Sequence, residues 1–201
     1  MKDQLDNLTT KERLMQVTIN VIAQEGFQSV TIRKVAAKAG VNIAAVNYHF
    51  GSKDALINEA LKQVTDQIKG TFKYLQTGND AAEIKLAAFI KNYTDILFKY
   101  PDIIKNMINH AIHDKLIDQQ VEYIAFLKTE GFELIKHTIG QIRPEQDEDF
   151  HSLKALHLFS GLSFPILMGK YIGEVMGVDL SIAELRQLHI KLLMENVCHR
   201  N

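Results

Sequence analysis

The sequence predicts an all-α fold, with a small helical domain at the N-terminus and a larger helical one after it. Three observations carry this. Apolar residues recur at intervals of three and four along most of the chain, the period of a helix with one buried face. Only 3 prolines and 11 glycines interrupt 201 residues, which leaves room for long elements. No stretch reads convincingly as a strand, and no repeat or low-complexity tract is present.

The first helix is predicted over 10–25. Thr9 and Glu12 have the spacing of a capping box, Leu14, Val17, Val21 and Ile22 share one face, and Gly26 is the stop. Thr31 caps a second helix with Ile32, Val35 and Ala36 inward. Ala39-Gly40-Val41 breaks it, and Gly40 is the residue that adopts a left-handed conformation at low cost. A third helix of barely two turns ends before Gly51. Ser52 caps a fourth, expected to reach about residue 76, with Asp54 in its first turn where the helix dipole favours an acid. A turn at 77–80 leads to a helix over 81–100 that ends at Pro101. Further helices are predicted over 102–113, over 116–142 with Gly131 inside, and over 150–176 with Gly161 and Pro165 inside; a polar link spans 143–149. Pro165 has no N–H for the Gly161 carbonyl, so a kink is expected there. Gly169, Gly173 and Gly177 repeat every four residues on one face of that helix, a spacing that permits close helix contact. Ser181 and Glu184 read as a second capping box, opening a last helix that runs to about residue 199.

An apolar content of 46% suits a chain that buries a core, and the net charge of -1 gives no global attraction to nucleic acid or membrane. Charge is uneven, however. No acid lies between Gly26 and Lys53, a window that holds Arg33, Lys34, Lys38, His49 and Lys53. The single cysteine, Cys198, excludes an intramolecular disulfide framework and a cysteine-based zinc finger, and it fits a reducing compartment. Residues 1–6 contain no apolar signal region, and the most apolar run, 159–169, is too short to span a bilayer. The expectation is a cytoplasmic chain with no membrane partner.

The third helix is too short to persist alone in water, so other elements must brace it. Three short helices with a glycine turn between the second and third form a helix-turn-helix, a unit that lays one helix in the DNA major groove. At about 100° per residue, Asn42, Val46 and Phe50 lie on one side of the third helix, and Ile43, Ala44, Asn47 and Tyr48 on the other. Val46 and Phe50 suit the inner side. The other side makes a poor solvated face and a serviceable groove-reading one: isoleucine and alanine can meet thymine methyls, and asparagine can pair with adenine. Arg33 and Lys34 open the second helix and Lys53 the fourth, so the flanks supply charge and free backbone N–H groups for phosphates. The flanks would hold the backbone while the helix reads bases.

These residues also carry a resemblance. Thr31-x-Arg33-x-Val35-Ala36-x-x-Ala39-Gly40-Val41, then Val46-x-Tyr48-His49-Phe50-x-Ser52-Lys53-x-x-Leu56, resembles the signature of the tetracycline-repressor (TetR) family, over roughly residues 8–68. The resemblance implies a homodimeric repressor that binds a near-palindromic DNA operator and releases it when a small molecule enters the C-terminal part. It implies a DNA-binding domain at 8–68 with its helix-turn-helix at 31–50, and an effector-binding and dimerisation domain at 69–201, with the last two long helices forming the dimer interface. Carried over, Thr31, Arg33, Tyr48, His49 and Lys53 would hold phosphates, and Ile43, Ala44, Ala45 and Asn47 would face bases; Lys34 and Asn42 complete the candidate set. The position of Asn47 is often aromatic in the family, so its role, base or phosphate, stays open.

Phe89, Tyr93, Met107, His110, Phe126 and Phe159 are candidate walls of a cavity for a small apolar or amphipathic ligand, and His157 and Phe164 extend the set. Residues of these types at helical spacing are also ordinary core. His110 with His113, and Glu195 with His199, share helix faces, but neither pair has a placeable third ligand, so no metal site is predicted. No catalytic Ser/His/Asp or Cys/His arrangement and no glycine-rich phosphate loop is recognisable, so neither an enzyme nor a cofactor is expected. Two rival readings remain: a DNA-binding protein of the same fold that answers to a protein partner or to no effector, and a helical enzyme, which would need a catalytic constellation.

Overall fold

A computed structural model describes residues 8–112 and 118–199, and its regular elements are all helical. In chain order they are α1 (Thr10–Glu25), a 3-10 turn (Phe27–Ser29), α2 (Ile32–Ala39), α3 (Ile43–Phe50), α4 (Lys53–Thr71), α5 (Lys73–Gln76), α6 (Ala82–Lys99) and α7 (Pro101–Ile112). Then come α8 (Asp118–Phe126), a π-helical turn (Leu127–Gly131), α9 (Phe132–Ile142), α10 (Glu148–Met168), α11 (Lys170–Met176) and α12 (Ala183–Cys198). They divide between two compact units, one drawn from Met1–Asp66 and Asp102–Val121, the other from Gln67–Pro101 and Glu122–Asn201.

Local chemistry sets the helix starts of the first unit. The Thr9 hydroxyl accepts from the Glu12 amide at 3.3 Å, and the Glu12 carboxylate accepts from the Thr9 amide at 2.9 Å, which completes the capping box of α1. Thr31 accepts from the Lys34 amide at 3.1 Å to start α2. Ser52 accepts from the Ala55 amide at 3.1 Å to start α4. Gly40 ends α2 with φ 67° and ψ 33°, and the Val41 amide folds back onto the Ala36 carbonyl at 3.0 Å. This left-handed residue sets the direction in which α3 leaves. The core holds Leu14, Val17, Val21 and Ile22 of α1, Val35, Ala36 and Ala39 of α2, and Leu56, Ala60 and Leu61 of α4. Ile103, Ile104 and Met107 of α7 are buried in the same unit, and the Asn106 amide donates to the Ile22 carbonyl at 3.4 Å.

The second unit departs from the sequence expectations at several points. The fourth helix stops at Thr71, because Phe72 turns the chain and buries its ring 4.9 Å from Phe89 and 5.0 Å from Phe126. The expected helix over 150–176 is two helices. Gly169, at φ 51° and ψ −127°, breaks it, and Gly177 caps α11, so the three glycines do not line one helix face. The carbonyl that Pro165 leaves open is not idle: His189 Nε2 lies 3.0 Å from the Gly161 oxygen and donates to it as the Nε2–H tautomer. The second capping box does not form. The Ser181 amide instead donates to Asp179 Oδ1 at 2.9 Å, and α12 starts at Ala183 without a side-chain cap. Arg143, expected in a polar link, is buried; its Nε donates to Glu145 at 2.6 Å, another guanidinium nitrogen donates to the His199 carbonyl, and the group lies 5.2 Å from the Phe150 ring centroid.

The turn at Gly40 gives a stability prediction. A Cβ there would meet nothing within 4 Å, so Gly40→Ala carries only the left-handed backbone penalty, about 1–2 kcal/mol. The urea midpoint should fall with an unchanged slope. An unshifted midpoint would contradict the role given to this turn.

Candidate nucleic-acid interface

α3 is held from one side. Val46 is its one buried residue, 1% exposed. Phe50 is half-buried, and the Lys11 ammonium, 2.8 Å from Glu59, stands 5.9 Å from its ring centroid. The opposite side faces water: Ile43 is 41% exposed and Tyr48 86%, with Ala44 and Asn47 exposed between them. Ala45 and His49 are half-buried, and the His49 ring meets Tyr48 edge-on at 5.1 Å. Asn42 proves to be the N-cap of α3; its Oδ1 accepts from the Ala44 amide at 2.9 Å, which leaves its NH2 group to donate elsewhere. An exposed isoleucine and tyrosine on one short helix leave apolar surface in water that burial in this unit's core would have removed.

The flanking charges differ among themselves. Arg33 is exposed and Lys53 half-buried, and neither has an ion-pair partner among the described residues. The Thr31 hydroxyl accepts at the cap and keeps its proton to donate outward. Lys34 is engaged: its ammonium lies 2.7 Å from Glu25 Oε2, and Lys38 lies 3.2 Å from Oε1 of the same carboxylate. The two ammoniums, Lys34 foremost, hold the Glu25 carboxyl below the ordinary range. Sequence reasoning missed Glu25 by counting the acid-free window from the residue after it. One signal was available, since an acid in the last turn of a helix opposes the dipole and asks for another explanation.

In the second unit, four of the candidate ligand residues meet. Phe89, Tyr93, Phe126 and Phe159 join Phe72, Tyr123 and Phe132, which the sequence did not single out, in a chain of ring contacts with centroids 4.8 to 6.4 Å apart. The Tyr93 and Tyr123 hydroxyls are 3.0 Å apart. Burial pushes the Tyr93 phenol up to about 12, and it raises Tyr123 well above the usual phenol range. Thr94, the next residue of α6, buries its hydroxyl with no hydrogen-bond partner among the described residues. The other candidates lie elsewhere. Met107 is buried in the first unit; His110 belongs to α7, and its side chain, like the whole of His113, is outside the described residues. His157 is exposed, and Phe164 is exposed on α10. Phe164 lines a separate hollow of about 560 Å³ with Pro165, Ile172, Met176, Leu188 and Leu192. Among the described residues no three His, Cys, Asp or Glu side chains gather as a metal site, and no helix is long and apolar enough to cross a membrane.

Comparison with known proteins bears on the first unit most directly. Residues 14–60 match the family described as "Bacterial regulatory proteins, tetR family". The chain is 25% identical over 179 residues to the probable HTH-type transcriptional regulator YttP of Bacillus subtilis, covering 84% of this chain and 83% of that protein. It is 29% identical over 86 residues to the HTH-type transcriptional regulator BetI of Stenotrophomonas maltophilia, a match that spans 42% of this chain and 44% of BetI. Among solved structures, the ketosteroid transcriptional regulator KstR2 of Mycobacterium tuberculosis superposes with a TM-score of 0.70 at 13% identity, over 94% of this chain and 93% of that one; at this identity the likeness is one of fold.

Two substitutions separate backbone holding from base reading. Arg33→Ala should weaken binding to every duplex and reduce the slope of log K against log salt by about 0.9 per bound protomer, one phosphate contact each. Asn47→Ala should change preference at particular base pairs, by about 1–3 kcal/mol at an affected position, and leave that slope alone. Affinity measured for both variants over a salt series on matched and mismatched duplexes decides it. Arg33→Ala with parental affinity at all salts would contradict the phosphate assignment.

Proposed function

We propose that this chain, which belongs to the tetR family of bacterial regulatory proteins, is a cytoplasmic transcriptional repressor that binds a near-palindromic operator as a homodimer and is released by a small-molecule effector. The observation that carries the DNA-binding part is the outer face of α3. Its exposed Ile43, Ala44, Asn47 and Tyr48 bear no formal charge, while Arg33 and Lys53, without an ion-pair partner among the described residues, sit at the starts of the helices on either side. Such a face suits base edges and methyl groups in the major groove, and its flanks suit phosphates.

Support for the dimer comes from α10 and α12. Leu153, Leu156 and Phe164 of α10 and Leu188 and Leu192 of α12 are all exposed, more apolar surface than a monomer ordinarily leaves in water. Pairing these two helices with their copies would make a four-helix bundle and bury them. A two-fold dimer then presents two α3 helices to half-sites one helical turn apart, about 34–36 Å.

The effector reading rests on the aromatic cluster. Tyr93 and Tyr123 have two phenol protons and one mutual bond, so one O–H is left over. A buried donor without an acceptor is costly, and a ligand oxygen would satisfy it. The effector this site suits is a mostly apolar or aromatic molecule with a hydrogen-bond acceptor. On this reading Phe89, Tyr93, Phe126 and Phe159 are its contacts, with Phe72, Tyr123 and Phe132 added.

Selection of bound duplexes from a random pool should enrich two related half-sites in inverted orientation, and no enriched half-site would overturn the regulator reading. For the effector, compounds screened by thermal shift should include aromatic carbonyl or carboxylate ligands whose affinity drops about fivefold in Tyr123→Phe, the loss of one hydrogen bond. A DNA-binding protein that no such compound stabilises would leave the repressor without an effector.

A further inference from the structure

We propose that Glu25 is an intramolecular stand-in for a DNA phosphate: it occupies Lys34 and Lys38, competes with the duplex backbone for both, and so lowers the sequence-independent part of DNA affinity. This inference rests on the DNA-binding reading above and names an affinity-setting residue for it.

The geometry points to this in three ways. First, both carboxylate oxygens are engaged. Oε2 meets the Lys34 ammonium at 2.7 Å and Oε1 meets the Lys38 ammonium at 3.2 Å, one oxygen to each lysine, as two cations would share a phosphate. Second, the two lysines are four residues apart on α2, so they share the helix face that Glu25 covers. Lys34 follows Arg33 directly and belongs to the first turn of α2, where the Thr31 hydroxyl and free amides make the other phosphate-seeking groups. Third, Glu25 is misplaced for its own helix. It is the last residue of α1, whose final turn contains no basic residue, and an acid there opposes the helix dipole. Its interactions run instead across the Phe27–Ser29 turn to α2.

The consequence lies in DNA binding rather than in folding. Exposed ion pairs add little to stability. Sequence-independent affinity, by contrast, follows the number of phosphates that cations neutralise. The window from Gly26 to Lys53 holds four lysines and arginines, of which Glu25 occupies two, leaving Arg33 and Lys53. The base-reading face of α3 is untouched by this competition, so base preference stays while the backbone component of affinity falls on every duplex.

The test compares the full chain with E25Q on a selected operator duplex and on a random duplex of equal length, across a salt series. E25Q should bind both duplexes about tenfold more tightly at low salt, with a slope of log K against log salt steeper by about one unit per bound protomer and an unchanged preference for operator. K34A should remove a large part of the gain in E25Q. Far-ultraviolet circular dichroism checks that each variant keeps its helices. An E25Q protein with parental affinity and slope overturns the inference; so does one that binds both duplexes more weakly, which would make Glu25 a residue that aims the lysines at phosphates. A parent that binds no duplex overturns the regulator reading itself, and this inference with it.

Discussion

Val46 is the single buried side chain of α3, and the presentation of every other residue on that helix depends on it. Eight residues make too short a helix to persist on intrinsic propensity. The apolar contact of Val46, the Asn42 cap at one end and the left-handed turn at Gly40 supply what the sequence of α3 lacks. Because so much of the support comes from outside, the outer face is released from any duty to the fold. It can carry Ile43, Ala44, Asn47 and a Tyr48 that stands almost wholly in water.

The same separation of duties organises the charges. Cations are absent from α3 apart from His49 and lie on the helices either side, where, on the proposed reading, a positive group would meet phosphates without blurring a groove-facing surface. Total charge near neutrality fits this arrangement, since the attraction to DNA needs only a few well-placed groups. Within that economy a lysine's location on the chain is not the same as its availability. Lys34 and Arg33 are neighbours, yet one is committed to an acid and the other is not.

What could be read in the sequence was what local chemistry decides. The starts of α1, α2 and α4 follow from Thr9, Thr31 and Ser52 bonding to amides three residues on, and the break at Gly40 follows from one residue's backbone freedom. The features that escaped it depend on contacts between residues distant in the chain. Phe72 ends α4 because its ring is wanted by Phe89 and Phe126, which no window around residue 72 reveals. Competition defeated the second capping box: Asp179 takes the Ser181 amide first. The pairing of Glu25 with Lys34 and Lys38 crosses a turn, and Tyr123 acquires its meaning only opposite Tyr93. Pro165 lay between these cases. Its missing N–H was legible, and the imidazole of His189 that answers the orphaned carbonyl was not.

The central claim is that α3 reads DNA largely through methyl groups and one amide, with little charge of its own. Replacing each thymine of the bound half-site in turn by uracil, which removes only the 5-methyl group, tests this directly through the change in affinity. One or two positions per half-site should lose about fourfold, the value of about 0.8 kcal/mol for one buried methyl group, and the rest should be neutral. Neutrality at every thymine would contradict the account, since Ile43 and Ala44 would then face no methyl group in the complex.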